Sequence, residues 1–300
     1  MPDTIKSTPI RWGIMGAGRI ARTFANDIQF AKNASLYGIA SREQSKAQSF
    51  AKDFSIPAFY NSYEAILKDP KVDAVYIATP HSHHKNHAIA ALRAGKHVLC
   101  EKPIAVNTAQ FETMVASAKE NNVLLMEAMW TRFLPSTLKI REVVQSKKLG
   151  KLKHAYLEFG FSGMGVGGDK GRLFNPNLAG GSLLDLGVYP VAFTLNITDQ
   201  PVKSLSVKSQ KYKTGVDIEC IVDVVFEDDS TATLLSSLLE DRNSPGVIEY
   251  ENGMILADNF WRSEKITINT MLRMKLPTSL AISNIGANAK TVVMVELTKA

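Results

Sequence analysis

Cysteine is scarce in this sequence: Cys100 and Cys220 are the only two in 300 residues. Two cysteines cannot build a disulfide framework, which excludes a small disulfide-stabilised fold and favours a reducing compartment. No apolar run approaches the length of a membrane span. The first nine residues also lack the basic and then apolar pattern of a signal peptide. These absences predict a soluble, cytoplasmic protein without a membrane partner.

Charge of one sign is not concentrated anywhere in the chain. There are 35 Lys and Arg against 29 Asp and Glu, a formal net charge of +6, yet no basic run exceeds two residues. We therefore expect no nucleic-acid partner, and only a mild attraction for anions such as a phosphorylated cofactor. The 45% hydrophobic content is sufficient for two cores of moderate size.

Short apolar runs alternate with helical patterns over the first 125 or so residues. This alternation, with short connections, is typical of a doubly wound parallel sheet covered on both faces. The predicted strands are Arg11–Met15, Leu36–Ala40, Ala74–Ala78, Val98–Cys100 and Val123–Met126. The predicted helices are Arg19–Ala31, Glu43–Phe54, His84–Ala94 and Thr108–Glu120.

After about Trp130 the pattern changes to alternating strands, which predicts an α+β domain with a large, open, mainly antiparallel sheet. We place the boundary so that residues 1–128 form a cofactor-binding Rossmann domain and residues 129–300 a substrate-binding and dimerisation domain. The predicted strands here are Ala155–Phe161, Val202–Ser209, Ile218–Phe226 and Thr231–Leu239, and the predicted helices are Ser136–Gln145 and Ser182–Leu195.

A glycine-rich loop, Gly16-Ala-Gly18-Arg-Ile-Ala21, follows the first strand and opens the first helix. This is the GxGxxA form of the dinucleotide fingerprint, in which the glycines allow a tight turn and close approach of the pyrophosphate to the helix N-terminus. A purely structural glycine turn is the alternative, but the strand-loop-helix context favours cofactor binding. We expect contacts from Gly16, Gly18, Arg19 and Ile20.

The end of the second strand distinguishes the two nicotinamide cofactors. NAD enzymes usually place a carboxylate there for the ribose 2′-hydroxyl, whereas this strand continues into Ser41 and Arg42. A hydroxyl and a guanidinium suit a 2′-phosphate, so NADP is predicted. Glu43 belongs to the first turn of the next helix. The alternative is that Arg42 is only a surface charge.

Two further loops follow strands at the carboxyl edge of the sheet, where ligands bind in such folds. After the strand ending at Ala78, we expect the cofactor to be contacted by Thr79, Pro80, His81 and His84. His83 and His87 lie one helical turn apart and could chelate zinc, but no Cys or acidic ligand is adjacent, so no metal is expected. After the next strand, Glu101 and Lys102 precede Pro103, which positions the Lys at the cofactor.

These stretches, GAGRIA, ATPHSHH, AGKHVLCEKP, EAMWTRF and GGSLLDLGVYP, resemble the Gfo/Idh/MocA family of oxidoreductases over residues 11 to about 195. Within the family they are most similar to the branch of dimeric dihydrodiol dehydrogenases and NADP-dependent xylose dehydrogenases. After about Ile268 the chain departs from the family pattern of a strand and a Glu-rich helix. The resemblance implies NADP as cofactor, a catalytic Lys102, and Asp185 and Tyr189 at the substrate.

Hydride transfer requires a group that gives or takes a proton at the substrate oxygen. Tyr189 can do so if a nearby ammonium favours its ionised form, and Lys102 can do so itself. Asp185, four residues before Tyr189 on a predicted helix, would orient the substrate or the Lys. The alternatives are core packing for Tyr189 and a helix N-terminal carboxylate for Asp185.

Large side chains after the last parallel strand are candidates for the substrate pocket. Trp130, Arg132 and Phe133 could wall an apolar pocket or simply pack, and Trp130 is preferred for the pocket. Arg172, in a Gly-rich loop, is a candidate contact for a substrate carboxylate or phosphate, or only an exposed residue.

The sequence therefore predicts an NADP-dependent oxidoreductase that acts on a small hydroxylated or carbonyl substrate such as a dihydrodiol, a sugar or a dicarbonyl. The alternative is a cofactor-binding sensor without catalysis, because function is a property of the site and not of the fold. Some predicted strands carry apolar residues at both odd and even positions, so both faces of the sheet would be partly apolar. We therefore also predict that the face without helices is covered by a second copy in a homodimer. A monomer results if the segment after Asn269 folds over that face.

Overall fold

The computed structural model describes residues 9–165, 167–271 and 290–296, with side chains up to Thr270. The chain divides into two compact units. The first comprises Met1–Ala128 with Asn177–Ala179, and the second comprises Met129–Pro176 with Gly180–Ala300.

The first unit contains a six-stranded parallel sheet in the order β3-β2-β1-β4-β5-β6, the strand order of a Rossmann fold. One of the two middle strands, β4, is buried along its whole length, as expected where helices cover both faces of a sheet. The predicted doubly wound sheet is confirmed. Its strands are β1 Ile10–Met15, β2 Ala34–Ala40, β3 Ala58–Tyr60, β4 Ala74–Ile77, β5 His97–Cys100 and β6 Leu125–Glu127.

Local signals in the sequence fix the ends of the covering helices. The Ser62 hydroxyl accepts from the Ala65 N–H at 3.1 Å, and the Asn107 side chain accepts from the Gln110 N–H at 2.9 Å, so each caps a helix. Gly95, at φ +72°, follows the helix that ends at Arg93. The helices are α1 Arg19–Asp27, α2 Gln44–Asp53, α3 Tyr63–Lys68, α4 His84–Arg93 and α5 Thr108–Glu120.

The second unit contains an eight-stranded sheet in the order β14-β13-β12-β11-β7-β10-β9-β8. Only the β7–β10 pair is parallel among the strands described, so the predicted mainly antiparallel sheet is confirmed. The strands are β7 Leu152–Gly160, β8 Val202–Lys211, β9 Asp217–Phe226, β10 Thr231–Ser237, β11 Gly246–Tyr250, β12 Gly253–Ala257, β13 Lys265–Met271 and β14 Lys290–Glu296.

Two helices cover one face of this sheet. Alternate residues of β7, including Leu157 and Phe159, point into the core with Phe193 of α7 and Ile140 of α6. Tyr156 and Glu158 alternate with them and are partly exposed, so the opposite face combines apolar and polar side chains. Whether that face pairs with a second copy stays a prediction. The helices are α6 Pro135–Gln145 and α7 Val188–Ile197.

One stretch of the second half of the chain has the length and composition of a membrane span. Within Pro176–Ile197, a stretch of 22 residues, 18 consecutive residues have a mean hydropathy of 1.4, so the stretch is long and apolar enough to cross a membrane by length and composition alone. Half of those 18 residues are buried, and Phe193 and Ile197 belong to the core of the second unit. A core helix of this kind is apolar because it packs against a sheet, which is why it resembles a span by composition.

Several elements differ from the prediction. The elements β3, α3 and β11 to β13 were not predicted. The last parallel strand begins at Leu125 rather than Val123, and the helix predicted over Ser182–Leu195 is a π-helical turn, Leu183–Gly187, followed by α7. Of the region after Asn269, Lys290–Glu296 forms an edge strand paired with β13, and residues 272–289 and 297–300 lie outside the described part.

The close approach of backbone and carboxylate at Gly181 generates a stability prediction. Gly181 has φ +120°, and a Cβ there would overlap the Asp217 carboxylate. We expect Gly181→Ala to lower the free energy of unfolding by about 2 kcal/mol more than Gly215→Ala does, because both variants place a side chain at positive φ and only Gly181→Ala also causes overpacking. Gly215 is the matched control, with φ +95° and open space where its Cβ would be. Denaturant unfolding of both variants measures the difference, and equal losses would contradict it.

Candidate active site

The loop after β1 presents backbone groups to an anion. Gly16, at φ +106°, has its N–H bonded to the Ala40 carbonyl oxygen at 3.0 Å, and a Cβ there would lie 2.7 Å from the Ala78 carbonyl oxygen. Gly18 is the N-cap of α1, with no side-chain cap and open space around the position of a Cβ. The first N–H groups of α1 have no acidic residue beside them. This arrangement fits a dinucleotide pyrophosphate.

The end of β2 carries a cation without an adjacent free carboxylate. The Ser41 Oγ accepts from the Glu43 N–H at 3.2 Å, and the Glu43 carboxylate pairs with Lys46 at 2.7 Å on the outside of α2. The charge of Arg42 affects the pKa values of two side chains, Tyr63 and His87. Burial raises the pKa of Tyr63, and Arg42 opposes this rise. Burial also lowers the pKa of His87 to about 4, with smaller contributions from nearby cationic groups including Arg42.

The histidines after β4 are engaged in the local structure of the first unit. The His84 ring is fully buried, with Nδ1 2.8 Å from the Pro103 carbonyl oxygen and Nε2 2.8 Å from the Thr79 carbonyl oxygen. The Nδ1 atoms of His81 and His87 lie 3.0 Å from the Ala179 carbonyl oxygen and from the Thr79 hydroxyl, respectively. Across the residues described, no three His, Cys, Asp or Glu side chains are grouped as a metal site.

His84 therefore joins two loops at the carboxyl edge of the sheet. Because both ring nitrogens face carbonyl oxygens, the side chain acts as a bridge from the Thr79 loop to the Lys102 loop. Burial lowers the pKa of His84, more than the two carbonyl groups raise it, and the charge of Lys102 lowers it further.

Two more side chains hold the Lys102 loop, and sequence reasoning missed both. The Tyr76 hydroxyl donates to Glu101, whose carboxylate accepts from the Lys102 N–H at 3.2 Å. The Glu127 carboxylate accepts from the Ile104 N–H at 2.9 Å. A polar ring inside an otherwise apolar strand and a carboxylate at a strand end were the available signals. The loop is thus fixed on both sides of Lys102.

Asp185 and Tyr189 lie on neighbouring turns of one helical segment in the second unit. Asp185 is in the π-helical turn and Tyr189 in the first turn of α7, and both are buried. Arg172 Nη1 donates to Asp185 Oδ1 at 2.8 Å. π-helical turns are often found at functional sites, because the inserted residue changes the direction of neighbouring side chains.

Aromatic rings surround Tyr189. Its ring meets Phe159 edge-on at 5.2 Å and lies 6.0 Å from Trp261, which in turn meets Trp130 edge-on at 6.1 Å. Trp130 is 42% exposed, so this aromatic cluster reaches the surface of the second unit. Trp130 begins the short turn Trp130–Phe133, and among the described ring contacts Phe133 does not take part in this cluster. Phe133 and Arg132 are both exposed. Trp261 and Phe159 were missed because they are distant in sequence.

Comparisons with known proteins agree with this architecture. Residues 10–129 match the model of an oxidoreductase family with an NAD-binding Rossmann fold, GFO_IDH_MocA, and residues 137–255 match a GFO/IDH/MocA C-terminal domain. A trans-1,2-dihydrobenzene-1,2-diol dehydrogenase of Mus musculus is 36% identical over 263 residues, 87% of this chain and 78% of that protein. The Homo sapiens enzyme of the same name is 36% identical over 82% of this chain and 73% of its own length.

Solved structures share the fold. The aldose-aldose oxidoreductase of Caulobacter crescentus, complexed with glycerol, superposes with a TM-score of 0.80 at 24% identity, over 93% of this chain and 85% of that one. KijD10, a 3-ketoreductase of Actinomadura kijaniata in complex with NADP, gives 0.81 at 23% identity, over 97% and 85%. With both family models matched and relatives above 30% identity, the chain belongs to the Gfo/Idh/MocA family and is an NAD(P)-binding oxidoreductase.

Proposed function

We propose that this protein is an NADP-dependent dehydrogenase that transfers a hydride between the nicotinamide and a CH–OH or carbonyl carbon of a small substrate. The observation that carries the proposal is the Lys102 loop, held by His84, Tyr76 with Glu101, and Glu127. Functional side chains are typically held in a fixed position by several supporting hydrogen bonds of this kind.

Cofactor choice follows from the charges at the end of β2. Ser41 and Arg42 offer a hydroxyl and a cation to a 2′-phosphate, while the next carboxylate in the sequence, Glu43, is paired with Lys46. An unpaired carboxylate at position 41 would instead repel the phosphate. The pyrophosphate would be held by Gly16, Gly18 and the first N–H groups of α1.

In the oxidative direction, the hydroxyl of the substrate loses its proton as the carbon loses a hydride. The bound nicotinamide supplies the hydride acceptor. The proton passes to Tyr189 or to Lys102, and either residue returns it in the reductive direction. Asp185 orients the substrate by accepting a hydrogen bond from a hydroxyl group. The aromatic cluster of Trp130, Phe159, Tyr189 and Trp261 offers ring faces to the apolar side of the substrate.

The substrate class that suits these groups is a ring with adjacent hydroxyl groups. One hydroxyl meets the proton-transfer group, the second meets the Asp185 carboxylate, and the ring carbons pack on the aromatic cluster. A trans-dihydrodiol and a cyclic sugar both have this form. The names of the curated relatives, trans-1,2-dihydrobenzene-1,2-diol dehydrogenases, support the first.

Replacing Lys102 tests catalysis. We expect Lys102→Met to lower kcat by about 10²–10⁴-fold, the range for losing a general acid or base, while the Kd for NADP changes little. Initial rates of NADP reduction on a panel of dihydrodiols and aldoses, and of NADPH oxidation on dicarbonyls, measure it. The exposed Lys119→Met on α5 is the control. Unchanged turnover in Lys102→Met would reject the assignment, and no wild-type turnover on any substrate would favour a sensor.

Replacing Arg42 tests the cofactor. We expect Arg42→Ala to weaken NADP binding by about 1–3 kcal/mol, the range for a charged hydrogen bond, and to leave NAD binding nearly unchanged. Ser41→Asp should reverse the preference by repelling the 2′-phosphate. Titration of both cofactors measures the two Kd values, with the exposed Arg93→Ala as control. An equal loss for NADP and NAD in Arg42→Ala would show a contact with adenine only.

A further inference from the structure

Arg172 and Asp185 form an ion pair whose two members differ in exposure. The Nη1–Oδ1 distance is 2.8 Å, and the side chains are 45% and 5% exposed, respectively. The carboxylate is therefore removed from water while its cationic partner remains half in solvent. A buried carboxylate without a nearby cation is strongly disfavoured, so the guanidinium stabilises the ionised form of Asp185.

The backbone that carries Arg172 is fixed. The next two residues, Leu173 and Phe174, are buried in the core of the second unit. The Leu173 carbonyl oxygen accepts from the Gly181 N–H at 2.9 Å, and a Cβ at Gly180 would lie 2.8 Å from the Arg172 carbonyl oxygen. The backbone of Arg172 and Leu173 thus passes close to that of Gly180 and Gly181, where a side chain would not fit. Arg172 therefore contacts Asp185 from a backbone that is held in place.

The turn that carries Asp185 is held separately, at its start. Asp217, the first residue of β9, accepts from the Ser182 hydroxyl at 2.7 Å and from the Leu183 N–H at 2.6 Å. The Asp185 N–H donates to the Gly181 carbonyl oxygen at 3.2 Å. The backbone of Asp185 is therefore positioned by Asp217 and Gly181, whereas Arg172 acts on its carboxylate.

We propose that Arg172 is a positioning residue that acts through Asp185, keeping this carboxylate charged and directed for a substrate hydroxyl, and does not bind the substrate itself. The proposal rests on the proposed function, since it assigns Arg172 to the same reaction. It replaces the sequence-based hypothesis that Arg172 binds a carboxylate or phosphate of the substrate. Replacing an Arg that binds the substrate would raise KM for anionic substrates. Replacing Arg172 in a positioning role should instead lower kcat for neutral diols.

A kinetic double-mutant cycle with Arg172→Met, Asp185→Asn and the double variant tests this role. We expect Arg172→Met to lower kcat about 10–100-fold with KM for a neutral diol within about threefold, because Asp185 loses the cation that keeps it charged and directed while the substrate loses no direct contact. The double variant should be no slower than Asp185→Asn alone, since Arg172 then has no carboxylate to act on. Arg172→Lys should recover most of kcat because it restores the charge.

Two further measurements distinguish the positioning role of Arg172 from a purely structural role. The Kd for NADP and the melting temperature of each variant show whether the protein remains folded and loaded. Arg11→Met is the control, because Arg11 is exposed to a similar extent as Arg172 and also pairs with a carboxylate at 2.8 Å, although its partner Asp73 is 37% exposed and the pair lies at the amino end of β1 in the other unit. It should lose stability without losing kcat.

Four results would overturn the proposal. Additive losses in the double variant, or a rise in KM restricted to anionic substrates, would show that Arg172 contacts the substrate. An Arg172→Met enzyme with wild-type kcat would reduce the pair to a structural one. If the wild type turns over none of the substrates, the proposed function fails and the positioning role with it, whereas normal wild-type turnover with additive losses rejects the positioning role alone.

Discussion

Side chains that are buried or partly buried and that bond to backbone groups hold the segments on which the candidate residues lie. In the first unit, His84 faces the Pro103 carbonyl oxygen, and Glu127 accepts from the Ile104 N–H, so the two side chains hold the two polar groups of the peptide between Pro103 and Ile104. A loop beyond the end of a parallel strand has few ladder bonds to fix it. These side-chain bonds take their place, and the position of Lys102 depends on them.

The second unit uses the same principle with a carboxylate. Asp217 receives the Ser182 hydroxyl and the Leu183 N–H, two donors at the start of the helical segment that carries Asp185 and Tyr189. The chain can approach Asp217 this closely only because residue 181 has no Cβ. The glycine pair in the GGSLLDLGVYP stretch is thus explained by packing rather than by flexibility.

The sequence predicted what depends on periodicity and on local motifs. The limits of α5 were predicted to the residue, since Asn107 caps it and its apolar spacing is regular. The three-residue strand β3 is too short to show a period, and β11 and β12 are only five residues each. The π-helical turn was read as ordinary helix, because one inserted residue leaves the apolar pattern nearly intact. Tyr76, Glu127, Phe159 and Trp261 were missed because their partners are brought close only by the fold.

Cys100 ends the strand that leads to Lys102, and its environment has a chemical consequence. The side chain is fully buried, and burial, with the neighbouring Glu101 and Glu127, raises the pKa of its thiol well above the ordinary value. Cys220 is also buried, with a raised pKa. Thiolate is the form that oxidants and electrophiles attack. Both cysteines are therefore kept as buried thiols, so neither offers a ready nucleophile to oxidants or electrophiles, even though one of them lies two residues from Lys102.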